Sequence, residues 1–328
     1  MALNKDQNDI GIILPFKNEE LYLQDCLTSI SEQRFPHFKV FMVDDHSTDG
    51  SFKIAQQHCV NDERFTLLKN NGKGVISALH LASKQVKCKF ISRMDGDDLM
   101  PKNKLESLLQ AIEKLPENYI ISGRVKYFSS DPISDGYQKY ENWLNQVCLH
   151  DEFEKFIFRE CTLPACSWIM HTNFFRNHSH FESLQLPEDY HLLLNWWRAG
   201  AAFKGLDTIT HYWRDHNRRT SKTSTAYDID SFFRLKIKVL QETGALQNAN
   251  VIVWGKGPKA KLLEHNLKEQ QIVYTPINNP NKAVDQLQSQ LTKKTKILSV
   301  IGSNNNLKKS IDFFEAMGLK NNYDFFLL

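Results

Sequence analysis

Short apolar runs alternate with longer segments whose apolar positions recur at helical spacing through the first hundred residues of the chain. IGIILP (10–15), KVFMVD (39–44), RFTLLK (64–69) and KFISRM (89–94) read as buried strands. Between them, EELYLQDCLTSISEQ (19–33), a segment ending near Cys59, and GVISALHLASKQV (74–86) read as helices. Ser47, Thr48 and Asp49 offer side-chain oxygens to cap the middle one. This βαβαβαβ rhythm predicts an α/β fold, a parallel sheet with helices on both faces.

Open sheets of that kind bind ligands beyond the carboxyl ends of their strands. The pattern places Pro15 to Glu19, Asp44-Asp45, Asn70-Asn71 and Asp95-Gly96-Asp97-Asp98 there. The last group packs three carboxylates into four positions, where like charges repel. A set of hard oxygen donors suits Mg²⁺ or Mn²⁺ better than zinc, and such an ion is usually completed by substrate phosphates. The bland reading is a solvated turn in which Asp97 or Asp98 caps a helix from Pro101. The second acidic pair at a neighbouring strand end favours the ligand-binding reading.

Composition narrows the class. The chain has 328 residues, 41% hydrophobic and 24% charged, as expected of a folded globular protein. The net charge of +3 is too small to argue for nucleic acid. The polar start, MALNKDQNDI, and the lack of a long apolar run predict a cytoplasmic protein with no transmembrane segment. Six scattered cysteines without a CxxC pair read as reduced thiols. Residues 245–328 hold 11 lysines against 6 acidic residues, which leaves peripheral contact with anionic headgroups open beside plain solvation.

That tail carries a second α/β signal. ANVIVWGKGPKAKLLEHNLKEQ (249–270) is strand, glycine turn and helix, with Gly255, Gly257 and Ala260 matching a dinucleotide-binding fingerprint. Strands IVYTPI (272–277) and KILSVIG (296–302) and the helix LKKSIDFFEAMG follow. Asn278-Asn279 stand where a ribose-binding acid is expected, so a structural or regulatory module is favoured over a cofactor site. The boundary is expected near Thr243-Gly244, giving a large domain 1–243 and a small Rossmann-like domain 244–328.

LPFKNEE, VDDHSTDGS, NGKGVISALHLA, RMDGDDLMP and PEDYHLLLNW together resemble, in order and spacing, the motifs of inverting glycosyltransferases of family 2, which have the GT-A fold. The resemblance covers about residues 9–240, and WRDHNRRTS (213–221) resembles the segment closing the catalytic domain in one bacterial subgroup. It implies a nucleotide-sugar donor, expected to be UDP-linked, and a saccharide or lipid-linked saccharide acceptor in bacterial glycan synthesis. By the same resemblance Pro15, Asn18, Glu19, Asp44, Asp95 and Arg214 would contact the donor. Asp44 would meet the uracil or its ribose, Asp95 and Asp97 the Mn²⁺ or Mg²⁺ on the diphosphate, and Asp189 would be the base. Two departures stand out: Lys17 replaces an aromatic that often stacks on the base, and His191 to Leu194 replace a D-x-W run.

The residue types suit this chemistry. A departing nucleoside diphosphate accumulates negative charge that a bound dication offsets. An acceptor hydroxyl needs a carboxylate within reach, and Asp189 opens an apolar helix, unless it is merely a cap. His211, Arg214, His216, Arg218, Arg219 and Lys222 form a dense basic stretch, of which Arg214 or His216 suits phosphate contact. Trp143, Trp168, Trp196, Trp197 and Trp213 are core residues or sugar-stacking platforms. Rival classes are a sugar nucleotidyltransferase, which needs a glycine-rich loop that LPFKNEE lacks, a dehydrogenase resting on the tail motif alone, and a non-catalytic nucleotide-binding protein.

Overall fold

The computed structural model describes residues 9–179, 186–278, 284–302 and 304–328; the first eight residues, which carry the polar start, and Asn279 lie outside them. Strands and helices alternate as β1 (Ile10–Phe16), α1 (Leu23–Ser31), β2 (Phe38–Asp44), α2 (Ser51–Asn61), β3 (Phe65–Lys69), α3 (Val75–Gln85) and β4 (Phe90–Arg93). There follow α4 (Lys104–Ile112), β5 (Tyr119–Phe128), α5 (Asp135–Leu149), β6 (Trp168–His171), α6 (Thr172–His178), α7 (Glu188–Arg198) and β7 (Ala202–Arg214). The remainder runs α8 (Thr220–Thr223), α9 (Ile229–Glu242), β8 (Asn250–Trp254), α10 (Pro258–Glu269), β9 (Tyr274–Ile277), α11 (Val284–Gln290), β10 (Thr295–Ser299), α12 (Asn304–Ala316) and β11 (Phe325–Leu327).

By packing, the chain falls into two compact units. Of the described residues, the first gathers 9–154, 162–179 and 188–220; the second gathers 155–161, 186–187 and those from 221 onward.

The first unit is built on a seven-stranded sheet in the order β3-β2-β1-β4-β6-β5-β7. Only β6 runs antiparallel, against β4 and β5. Every β1 residue is buried, as a strand covered on both faces requires. Helix α1 turns Leu23, Cys26, Leu27 and Ile30 inward at helical spacing, and these join Ile12, Leu14, Val40, Met42 and Phe90 in one core. The oxygen expected to cap α2 comes from two residues before the helix: Asp49 Oδ1 accepts bonds from the Ser51 N–H (3.0 Å) and hydroxyl (2.5 Å).

Strand register sets the rim. Phe16 is level with Asp44, and Asp44 with Lys69, so β1, β2 and β3 end flush. β4 stops lower, with Arg93 opposite Ile13, and Met94 N–H still donates to the Ile13 carbonyl (3.0 Å). The acidic turn after β4 therefore runs beside the last residues of β1. All six cysteines are thiols, five of them buried.

The second unit has a four-stranded parallel sheet in the order β11-β10-β8-β9. Its glycine turn has the strained geometry that the motif predicts: Gly257, at φ 98°, sits where an L side chain is disfavoured, and Pro258 opens α10. Residues 155–161 belong to this unit. The Phe158 ring meets Phe326 edge-on at 5.2 Å, Lys236 Nζ donates to the Arg159 carbonyl (3.0 Å), and Asn321 Nδ2 donates to the Lys155 carbonyl (2.7 Å). Packing thus draws the second unit to include α9 and this upstream segment, and a cut after residue 243 would divide it. Among the described residues, no helix is long and apolar enough to cross a membrane.

One contact in the first unit gives a stability test. A Cβ added at Gly205 in β7 would lie 1.8 Å from the Cys148 carbonyl oxygen at the end of α5. Backbone cannot yield as a side-chain tip can, so Gly205→Ala is expected to destabilise by about 2 kcal/mol or more. Gly136, within α5, meets only Ser134 Oγ at 3.8 Å, so Gly136→Ala should stabilise by ~0.5–1 kcal/mol. Urea unfolding of both variants checks the opposite signs.

Candidate active site

The flush strand ends bring two acidic segments to one rim, and their carboxylates are used differently. Asp45 orders the loop after β3: it accepts from Asn70 Nδ2 (2.7 Å) and from the Gly74 N–H (2.9 and 3.1 Å). Asp44 accepts only a long bond from the Ser47 N–H (3.2 Å) among the bonds resolved there, and it lines a cleft of about 620 Å³. His46, Ser47, Phe52, Lys69, Asn70 and Asn71 complete that cleft. Pro15 is buried within β1. Asn18, at φ 56°, ties the two rim loops: its N–H donates to Ser47 Oγ (3.0 Å) and its Oδ1 accepts from the Thr48 N–H (2.8 Å). Lys17 reaches Asp45 at 4.0 Å.

The acidic turn is clamped by the end of β7. Leu99 and Tyr212 exchange two backbone hydrogen bonds, each 3.1 Å. Asp98 Oδ1 accepts from the Arg214 N–H (2.7 Å), and Asp98 Oδ2 lies 3.0 Å from His211 Nε2. Arg214 Nε donates to the Asp97 carbonyl (2.6 Å), while its guanidinium lies 4.6 Å from the ring centres of both Tyr22 and Phe128. His216 Nε2 is 2.9 Å from Asp97 Oδ2.

Burial separates the three aspartates: the side chain of Asp98 is 3% exposed, that of Asp97 17%, and that of Asp95 30%. Burial and the neighbouring Asp97 and Asp95 charges push Asp98 well above the usual carboxylate range. Burial and nearby Lys104 push His211 down to about 3, so the neutral form of each group is favoured in this pair. Burial also pushes Asp97 upward, but the hydrogen bond and charge of His216 outweigh it and leave Asp97 below its ordinary value. Glu19 rises to about 8, through burial and the Asp97 charge, with Arg218 opposing. Glu19, Asp95 and Asp97 thus lie close enough to act on one another, and hard carboxylate donors gathered in this way suit a divalent ion.

Asp98, Cys166 and His211 also converge, with candidate ligand atoms within 4.8 Å of one another. Both Asp98 oxygens are already engaged there, and all three residues are buried, so this group reads as packing beneath the turn.

Asp189 lies in the first turn of α7 and its Oδ1 accepts from the Tyr190 N–H (2.8 Å). Burial and adjacent Glu188 raise it to about 7, against the pull of Arg93. Arg93 is a residue that the strand-end reading passed over. Its Nε donates to Asp95 Oδ1 (2.8 Å) and its Nη2 to Glu188 Oε1 (3.2 Å), so it links the acidic turn to α7. The available signal was a charged side chain closing an otherwise apolar strand. The basic stretch that begins within β7 divides: His211 and Arg219 are buried, while Arg218 and Lys222 are exposed. Of the tryptophans, Trp168 and Trp196 are core, and Trp143, Trp197 and Trp213 are half-buried.

A family model described as glycosyl transferase family 2 matches residues 11–180, more than half of the chain. Glycosyltransferase GlyG of Streptococcus pneumoniae is 28% identical over 123 residues, covering 37% of this chain and 41% of that protein. The putative teichuronic acid biosynthesis glycosyltransferase TuaG of Bacillus subtilis is 34% identical over 104 residues, covering 31% and 40%. The chain thus spans about two fifths of the length of these two relatives. The crystal structure of S. aureus TarS 1-349 in complex with UDP-GlcNAc superposes with a TM-score of 0.55 at 18% identity, covering 86% of this chain and 78% of that one. At this identity the likeness concerns the fold, a mostly parallel α/β sheet of the GT-A kind. The chain belongs to glycosyl transferase family 2.

Proposed function

We propose that the protein moves a sugar from a UDP-sugar to an acceptor hydroxyl with inversion, in the assembly of a bacterial glycan. The observation that carries this reading is the rim itself: Asp44 in a cleft, Asp95 and Asp97 on a clamped turn, and a half-buried carboxyl at Asp189 whose neighbour Glu188 is tied to that turn by Arg93. The relatives' names and the UDP-GlcNAc complex of TarS support a nucleotide-sugar donor.

Asp44 holds the uracil or ribose at the floor of the cleft, with Pro15 and Asn18 shaping the adjoining loop. Asp95 and Asp97, with Glu19 beside them, hold Mn²⁺ or Mg²⁺. The bound ion supplies positive charge where the leaving diphosphate becomes more negative. Arg214 adds a fixed guanidinium beside the turn, held between two aromatic rings. Asp189 takes the acceptor proton: its raised affinity for a proton suits general-base work near neutral pH. Attack from the face opposite the leaving group then inverts the anomeric carbon.

The donor sugar and the saccharide or lipid-linked acceptor are set by other contacts. The lysine-rich segment 245–328 supports peripheral contact with anionic headgroups at the cytoplasmic face. The second unit, lacking an acid at Asn278, is proposed as a structural or regulatory module.

Asp97→Asn is expected to remove the enhancement of UDP binding by Mn²⁺ and to abolish transfer, because an amide is a poor ligand for a hard dication. Calorimetric titration with UDP, with and without Mn²⁺, reads it; an unchanged enhancement excludes Asp97 as ligand.

Asp189→Asn should leave UDP affinity nearly unchanged while turnover falls by ~10²–10⁴. Asp44→Asn should weaken UDP binding more than it slows the bound complex. Wild-type turnover in Asp189→Asn would move the base elsewhere, with Glu188 next in line.

The rate should also depend on pH with a definite sign. A base raised to about 7 is protonated and inactive below that value, so kcat should climb as pH rises through about 7 and then level off. A pH–rate profile flat from 5 to 8 is incompatible with Asp189 as base; a chain that binds UDP and Mn²⁺ but releases no UDP from any UDP-sugar would be a nucleotide-binding protein.

A further inference from the structure

The guanidinium of Arg93 sits where the donor side of the site meets the helix that carries the base. Its side chain is 6% exposed, and the strand that ends with it is buried throughout. Nε lies 2.8 Å from Asp95 Oδ1, Nη2 lies 3.3 Å from Asp95 Oδ2, and the same Nη2 lies 3.2 Å from Glu188 Oε1. Glu188 is itself buried and opens α7, with Asp189 next in the chain. One fork therefore holds two carboxylates that are 93 positions apart in sequence, one from each half of the site.

A buried ion pair of this kind adds little net stability compared with apolar packing, because desolvating the charges offsets their attraction. Its planar fork does fix direction, which a lysine ammonium cannot do. We propose that Arg93 is a positioning residue, setting the Asp95 carboxylate toward the donor and the start of α7 toward the acceptor in one geometry. This rests on the reading of Asp95 and Asp189 given above.

Two consequences follow from the contacts. Without the fork, Asp95 loses the partner that fixes its carboxylate, and Mn²⁺-dependent UDP binding weakens. Without the charge, Asp189 loses the pull of Arg93 while the charges of Glu188 and Asp95 remain. Its carboxyl then holds its proton to higher pH.

The test uses the full chain with Arg93→Gln and Arg93→Lys, both checked for cooperative melting. UDP affinity is measured at saturating Mn²⁺, and the ionisation of Asp189 is followed through ¹³C-carboxyl resonances of labelled aspartate, assigned by the signal missing in Asp189→Asn. Arg93→Gln should weaken UDP binding roughly 10–100-fold, the usual effect of removing a ligand's supporting partner. It should also raise the midpoint of the Asp189 signal by about one pH unit or more. Arg93→Lys keeps the charge and loses the fork, so the midpoint should stay near wild type while UDP affinity still falls.

That split is not what a general loss of stability produces. Folded variants with wild-type UDP affinity and an unmoved Asp189 midpoint overturn the proposal while leaving the site reading intact. If Arg93→Gln does not fold, wild-type UDP affinity in Arg93→Lys overturns it alone. A wild-type chain with no Mn²⁺-dependent UDP binding removes the donor reading and this inference together.

Discussion

Three carboxylates within four residues are the constraint around which the site is organised. Two like charges about 4 Å apart near a protein surface repel by roughly 4 kcal/mol, so the turn does not hold its shape unaided. The structure answers with β7. Asp98 is withdrawn into the interior and bonded by His211 and the Arg214 N–H, and Leu99 is stitched to Tyr212. The carbonyl of Asp97 is caught by Arg214 Nε. With the third carboxyl shifted toward its neutral form by burial, the repulsion left to manage is mostly between Asp95 and Asp97.

Those two are held by basic groups that differ in kind. His216 takes Asp97 at 2.9 Å, and its ring lies 4.8 Å from Tyr22, at the edge of the site. Arg93 takes Asp95 at 2.8 Å and is itself buried. An arrangement of this type keeps the carboxylates ordered before any ligand arrives, which reduces the reorganisation that binding a metal–diphosphate would demand. The raised Glu19 and Asp189 show the complement: burial and like charge hold each near the point where gaining or losing a proton is easy.

Much of this was legible in the sequence, for a physical reason. Buried parallel strands leave near-continuous apolar runs, so β1, β2, β3 and β4 were found within a few residues of their ends, and the rim followed from the rule about carboxyl ends. What could not be read were pairings between distant segments. Asp44 and Asp45 are adjacent and chemically identical, and only the fold turns Asp45 to the loop at Gly74. His211 reads in the sequence as one member of a dense basic stretch, yet its ring meets the enclosed Asp98. The Arg93–Glu188 bridge spans 95 residues, and no local pattern announces it. The upstream segment at 155–161 was likewise invisible, since Phe158 finds Phe326 only through tertiary packing.

The central claim is that the turn is shaped so that Asp95 and Asp97, not the enclosed Asp98, face a metal-bound nucleotide. Crystals grown with UDP and Mn²⁺, with diffraction recorded at the manganese absorption edge, test it most directly. The account predicts one anomalous peak bonded to Asp97, with the diphosphate against it and the uracil in the cleft floored by Asp44. A peak within the Asp98, Cys166 and His211 group, or UDP bound away from the Asp44 cleft, would contradict it.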